Sequence, residues 1–238
     1  MTGETYSVYH FNENKRNNTV KTKQIKFAPY DRVNCITHLT GAVLSVVATI
    51  LFLIKSLSLS EFDPIKTFST LAFGISLIAL YTASATYHYV STDSKHWMQL
   101  KRLDHSMIYV LIAGSYTPVL LTMPDKSKGI MMSVAIWIIG LSGVCLKVFC
   151  SNVPRVFSTV LYIAMGWFIL IDTSVLTAMN HNCIALIAIG GVLYTIGGVI
   201  YAIKKPNISK TWGFHEIFHL FVMAGSLCHV LSTYIYIL

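Results

Sequence analysis

Charge is scarce in this chain. Only 12% of its 238 residues are Asp, Glu, Lys or Arg, about half the share of an ordinary soluble domain. A water-exposed globular surface is therefore excluded for most of its length. Acids are scarcer still, ten against eighteen Lys and Arg, which gives a net charge of +8. Cysteine comes as five scattered residues, Cys35, Cys145, Cys150, Cys183 and Cys228, with no C-x-x-C pair. An odd, unmotivated set of this kind offers no disulfide framework, and most of these residues read as small core side chains. The first thirty residues are polar, so no cleavable signal peptide is visible ahead of the first apolar run.

Apolar residues fill the space that charge leaves. They make up 54% of the chain, and the mean hydropathy is +0.61. Seven apolar runs of about twenty residues follow one another: Val33–Ile54, Phe68–Tyr89, Ser106–Met123, Gly129–Phe149, Val156–Ala178, Cys183–Ile203 and Gly213–Leu238. As helices, each reaches across a hydrocarbon core of about 30 Å. The connections are too short for a separate soluble module. The expectation is an all-α membrane protein with seven transmembrane helices over residues 31–238. A polar, basic leader over residues 1–30, rich in Asn, Lys and Thr, precedes it without fixed structure. Fourteen of the eighteen Lys and Arg fall on one side of this topology, leaving Lys55, Lys66, Lys126 and Lys128 on the other. Basic residues gather on the cytoplasmic side, so the N-terminus is expected inside and the C-terminus outside. The excess positive charge is thereby explained by topology, and a nucleic-acid role is not needed. The sequons at Asn17 and Asn207 fall on the cytoplasmic side, out of reach of glycosylation.

Chemistry-bearing residues collect at one depth. His215 and His219 in the last run are four apart, so in a helix they share a face one turn apart. That spacing lets two imidazoles hold one metal ion; it also suits two histidines that only hydrogen-bond to neighbouring helices. His229 lies fourteen residues past His215, about 21 Å along the axis, too far to share an ion. Asp31, Asn34 and His38 form a stripe at the cytoplasmic end of the first run, either a cap with interface polar groups or a buried polar network. Ser84 and His88 stand at i, i+4 at the same end of the second run, and Asp104 opens the third, as a cap or as a ligand to metal or water. His96 reads as solvated. Independent accidents would scatter such groups over both ends. Three imidazoles with a water-holding carboxylate form a zinc arrangement that leaves the fourth position for water, with Asp104 orienting that water. Elsewhere, Pro118 is expected to loosen the outer part of the third helix. Gly190, Gly191, Gly197 and Gly198 permit close helix packing. Asp172, an acid in the outer half of the fifth run, is either a functional group or one side of a structural hydrogen bond.

Together, Asn34-x-x-Thr37-His38, Ser84-x-x-x-His88, Leu103-Asp104-His105-Ser106, Ala113 to Pro118 and His215-x-x-x-His219 with His229 resemble the progestin and adipoQ receptor/haemolysin III family, most closely its haemolysin III branch. The resemblance covers residues 31–238. It implies that His88, His215 and His219 hold Zn2+, that Asp104 contacts it through a water and that Ser84 sits beside the metal. Asn34 and His38 would support the site as a polar network. The family usually has Glu where this chain has Asp31, a side chain one methylene shorter. The adiponectin receptors and the similar alkaline ceramidases imply hydrolysis of a lipid amide inside the bilayer, with a membrane lipid as substrate. A receptor or lipid sensor with a structural zinc is the alternative. A lytic pore, as the haemolysin name suggests, would need a polar stripe through the membrane, for which only Asp172 and His229 offer a hint.

Overall fold

The computed structural model describes residues 29–58, 61–92, 94–150, 153–177 and 179–238. The expected leader lies outside these residues, except that Pro29 and Tyr30 already belong to the first helix. Every regular element among the described residues is helical. This follows from the solvent: hydrocarbon offers no partner to backbone N–H and C=O groups, and a helix satisfies them within the segment.

The elements are α1 (Pro29–Leu57), α2 (Pro64–Tyr89), α3 (Trp97–Leu121), α4 (Lys126–Phe149), α5 (Arg155–Gly166), α6 (His181–Ile203) and α7 (Phe214–Ser232). A 3-10 turn at Phe168–Ile171 and a single helical turn at Ser174–Thr177 follow α5, and a π-helical turn at Thr233–Ile237 ends α7. Local chemistry sets the starts. Asp63 accepts from the backbone of Ile65 and Lys66 with Pro64 at the first helical position of α2, and Asp125 accepts from Lys128 to start α4. Inside the helices, buried hydroxyls find acceptors one turn back: Ser45 donates to the Gly41 carbonyl at 2.7 Å and Thr70 to that of Lys66 at 2.8 Å. That is how Ser and Thr are tolerated in apolar spans.

α1, α2, α4, α6 and α7 are long and apolar enough to cross a membrane on length and composition. Large apolar residues such as Val43, Ile50, Ile138 and Val199 face outward, the reverse of a water-soluble protein. The chain is an integral, multi-pass, all-α membrane protein. α1 packs on α2, α2 on α3 and α3 on α4; α5 leans on α6, α6 on α7, and α7 closes back onto α1. α3 contributes to both apolar cores, with Tyr109 and Leu120 in one and Leu111 in the other, beside Phe52, Phe73 and Leu77. The glycines of α6 act as expected. A Cβ on Gly190 would lie 2.9 Å from the His229 ring, and one on Gly197 equally close to Phe221.

Two expectations need correction. The fifth run is not one helix: α5 ends at Gly166, and the chain turns twice before Thr177. Asp172 lies between those turns, outside the helix. Its carboxylate pairs with Lys128 at 2.8 Å and accepts from the Ser174 backbone at 3.0 Å. The Lys128 hydrogen bond, helped by Ser174, lowers its pKa from 3.8 to about 2. The structural reading of Asp172 therefore holds, and the functional one has lost its buried setting. The third helix begins at Trp97, so Asp104 stands in its interior rather than its first turn and caps nothing. Pro118 lies inside α3, which continues to Leu121.

Candidate metal centre

The site is built from the start of α7. Glu216, the third residue of that helix, accepts from the Gly213 backbone N–H at 2.8 Å, the reciprocal half of a capping box. Its other oxygen accepts from Asn34 Nδ2 of α1 at 2.7 Å. One buried carboxylate thus caps α7 and ties it to α1. The sequence reading assigned Glu216 no role, although the Gly213-x-x-Glu216 spacing carries the capping signal. The cap orients the next turns so that His215 and His219 face the interior.

From α2, His88 meets them. His88 Nε2 and His215 Nε2 are 3.2 Å apart. Ligand-capable atoms of His88, His215 and His219 all lie within 4.8 Å of one another. Zinc bonds to imidazole nitrogens at about 2.0–2.1 Å in a tetrahedron, which sets neighbouring nitrogens about 3.3 Å apart. The observed pair already has that spacing, and the third nitrogen is within a small side-chain adjustment. Three neutral-type donors with no fourth protein ligand in the group fit a metal ion with an open position.

The surroundings hold the imidazoles in place. His219 is fully buried, and Thr37 Oγ1 lies 3.5 Å from its Nδ1. Because the Thr37 hydroxyl faces the Val33 and Asn34 carbonyls, each 3.0 Å away, its oxygen is available to His219 as an acceptor. A proton on Nδ1 then has a partner, and Nε2 keeps its lone pair. The His38 ring stacks on His219 with centroids 3.5 Å apart and an 11° angle, and Tyr81 meets His38 edge-on at 5.1 Å. The Tyr81 hydroxyl donates to Ser226 at 2.7 Å, and Tyr194 joins the same Ser226 oxygen at 2.8 Å. Nothing in the spacing of Tyr81, Tyr194 and Ser226 had marked them.

Of the residues singled out in the sequence, His88, His215 and His219 come together. Asp104 and Ser84 line a narrow apolar cavity of about 200 Å³ beside them, with His38, His215 and His219 in the same wall. Ser84 Oγ is buried facing the Asp104 carboxyl, and both ring nitrogens of His38 are buried without a hydrogen-bond partner among the described residues. Asn34 gives its amide N–H to Glu216, and its Oδ1 is buried without a hydrogen-bond partner among the described residues. Asp31, half-buried, lines a second, polar cavity of about 670 Å³ that opens on the other side of His88 and His215. His229 is not part of the group; it stacks on Tyr194 at 5.4 Å, deeper along α7. His96 is exposed, and its ring meets Gln99.

Comparison with known proteins identifies the family. A family model described as haemolysin-III related matches residues 28–230. The chain is 34% identical over 194 residues to a hemolysin-3 homolog of Bacillus subtilis (strain 168), covering 81% of this chain and 87% of that protein. It is 31% identical over 222 residues to hemolysin-3 of Bacillus cereus, covering 91% and 96%. Human monocyte to macrophage differentiation factor is 27% identical over 209 residues, covering 86% of this chain and 83% of its own length.

Proposed function

Because the chain belongs to the haemolysin-III related family of membrane proteins, we propose that it is a zinc-dependent hydrolase of an acyl amide or ester in a membrane lipid. The observation that carries this reading is the meeting of three imidazoles, a carboxyl and a buried hydroxyl beside an apolar cavity. His88, His215 and His219 are the ligands. Zinc held there supplies Lewis-acid chemistry, lowering the pKa of a water and polarising a carbonyl. Asp104 takes the proton of the attacking water and hands it to the leaving group. Ser84, whose hydroxyl faces the Asp104 carboxyl, donates to the oxyanion of the tetrahedral intermediate. The apolar wall receives an acyl chain and excludes bulk water.

The topology belongs to the same proposal. α3, at 25 residues, is about 37 Å long. α5 with its 3-10 turn reaches the lower limit for a span, about 17 residues. Counting both gives seven spans, with the N-terminus cytoplasmic and the histidine end facing the cytoplasm. The distribution of Lys and Arg supports that orientation.

A second reading is a receptor or lipid sensor in which the metal is a cross-tie. It is favoured by one fact: α2 and α7 are not neighbours in the helix ring, so an ion on His88 and His215 would bridge across it. A pore has lost support, because Asp172 is exposed and paired with Lys128. Asp104→Asn separates the first two. It keeps the side-chain size but removes the base, so zinc content should stay unchanged while lipid turnover falls by about two to four decades. Lipid profiles of cells expressing wild type or variant, followed by purified protein with the lipid that differs, give the measurement. A wild type that releases no fatty acid from a broad lipid panel would move the assignment to the sensor.

A further inference from the structure

Two cavities meet at the metal centre. His105, Tyr162, Tyr201 and His215 line both the apolar cavity and the polar one. The polar cavity is a vestibule with an excess of positive charge. Lys101, Lys147 and Arg155 all line it, and among the described residues no carboxylate lies within ion-pair distance of any of the three. Its own acids do not balance them. Glu216 is buried and already holds Asn34 and the Gly213 N–H, which leaves Asp31 alone.

These cations are held rather than free. Lys147 Nζ donates to Ser158 Oγ at 2.5 Å. The Arg155 guanidinium lies 4.8 Å over the Tyr201 ring and 5.6 Å from that of Phe214. Tyr201 is one of the residues shared by both cavities, so Arg155 is fixed at their junction. A stacked guanidinium keeps a planar set of N–H donors that suits two oxygens of one phosphate. Long cationic side chains on a convex cytoplasmic surface would be ordinary; three in a concave site next to buried imidazoles point to an anion that belongs there.

We infer that the vestibule binds the phosphate of a single-chain lipid phosphate monoester, whose acyl chain continues past the metal centre into the apolar cavity. The inference rests on the reading of that cavity as an acyl-chain site. The narrow apolar cavity suits one chain rather than two, and the polar vestibule is the larger of the two spaces. Arg155 and Lys147 select the headgroup; neither takes part in bond cleavage.

The test is binding by purified full-length protein carrying Asp104→Asn, so that nothing turns over, measured as displacement of a fluorescent acyl probe in a neutral detergent. The ligands are oleoyl lysophosphatidic acid, monooleoylglycerol with the same chain, glycerol 3-phosphate and inorganic phosphate. The lysophosphatidic acid should bind about 10-fold more tightly than monooleoylglycerol, the scale of one or two charge-assisted hydrogen bonds. The advantage should shrink as salt rises from about 0.1 to 1 M, where screening shortens from about 10 to 3 Å. Arg155→Gln and Lys147→Gln should each cut the advantage to about 2–3-fold and leave monooleoylglycerol affinity unchanged. Should Arg155→Gln fail to fold, Lys147→Gln and the salt dependence decide. Equal affinity for the two acyl ligands in wild-type vestibules, or a preference that survives both variants, overturns the inference. So does full competition by inorganic phosphate or glycerol 3-phosphate at the concentrations used for the lipid, which would make the occupant a soluble phosphate. The hydrolase reading fails separately: a headgroup preference in the Asp104→Asn protein with no lipid turnover by the wild type leaves this inference standing, whereas hydrolysis of neutral lipids by the wild type without a headgroup preference removes it alone.

Discussion

His219 shows how much of this site is held by contacts other than metal. Its ring has His38 stacked on one face, His88 and His215 at 5.1 and 4.6 Å, and Thr37 at the edge. A side chain so enclosed keeps its nitrogen aimed without help from an ion, so the centre is largely preformed. At the opposite end of the molecule, Asp172 is a simpler case, exposed and paired with Lys128. Its pKa of about 2 lies below the ordinary 3.8. An acid with a depressed value contributes stability above the ordinary pKa and loses it as pH falls through the folded value. Asp172→Asn should therefore lower the thermal midpoint slightly at neutral pH, a surface pair being worth little. The difference from wild type should close as pH drops from about 4 to about 2. Thermal melts of both proteins across that range are the check, and a gap that persists at the acid end would show that Asp172 acts through something other than its charge.

A buried pair ties α7 to α1, beside the contacts of His219 with His38 and Thr37. Asn34 and Glu216 join the two helices at 2.7 Å, and the same carboxylate caps α7. Charge-assisted hydrogen bonds of this kind contribute about 1.5–3 kcal/mol. In a double-mutant cycle on stability in detergent, Asn34→Ala and Glu216→Ala should couple by about 1–3 kcal/mol. The Glu216 change alone should be the more damaging, since it also removes the cap. Additive effects would mean that the pair does not tie the helices. The helices themselves were legible in the sequence, since each apolar run marks a stretch that must satisfy its own backbone. The fifth was misread because an unbroken apolar run says nothing about where the backbone turns. The helix ends at Gly166, the Asp172 carboxylate accepts from Ser174 at the start of a later turn, and the same side chain pairs with Lys128 from a helix more than forty residues earlier. The donor set His88, His215 and His219 was legible through its common depth and the family resemblance. Glu216, Tyr81 and Ser226 were not singled out, because their roles come from partners on other helices: Asn34 for Glu216, and each other for Tyr81 and Ser226. The capping half of the Glu216 role did leave a signal.

For the molecule as a whole, the proposed orientation carries the site with it to the cytoplasmic face. Lys101, Lys147 and Arg155 share the histidine end, and Lys126 and Lys128 stand at the other. On a cysteine-free background, a single cysteine at Ser94 should react only from inside the cell, and one at Ser127 from outside. Reversed labelling would turn the site, the vestibule and its ligand to the external face. The account stands most directly on the metal. Zinc per chain should be measured by inductively coupled plasma mass spectrometry on purified wild type and on His88→Ala, His215→Ala, His219→Ala and His229→Ala. About one equivalent is expected in wild type and in His229→Ala, with loss of most of it, and of thermal stability, in each of the other three. Zinc that stays with all three variants, or that leaves only when His229 is replaced, would contradict the ligand set on which the rest is built.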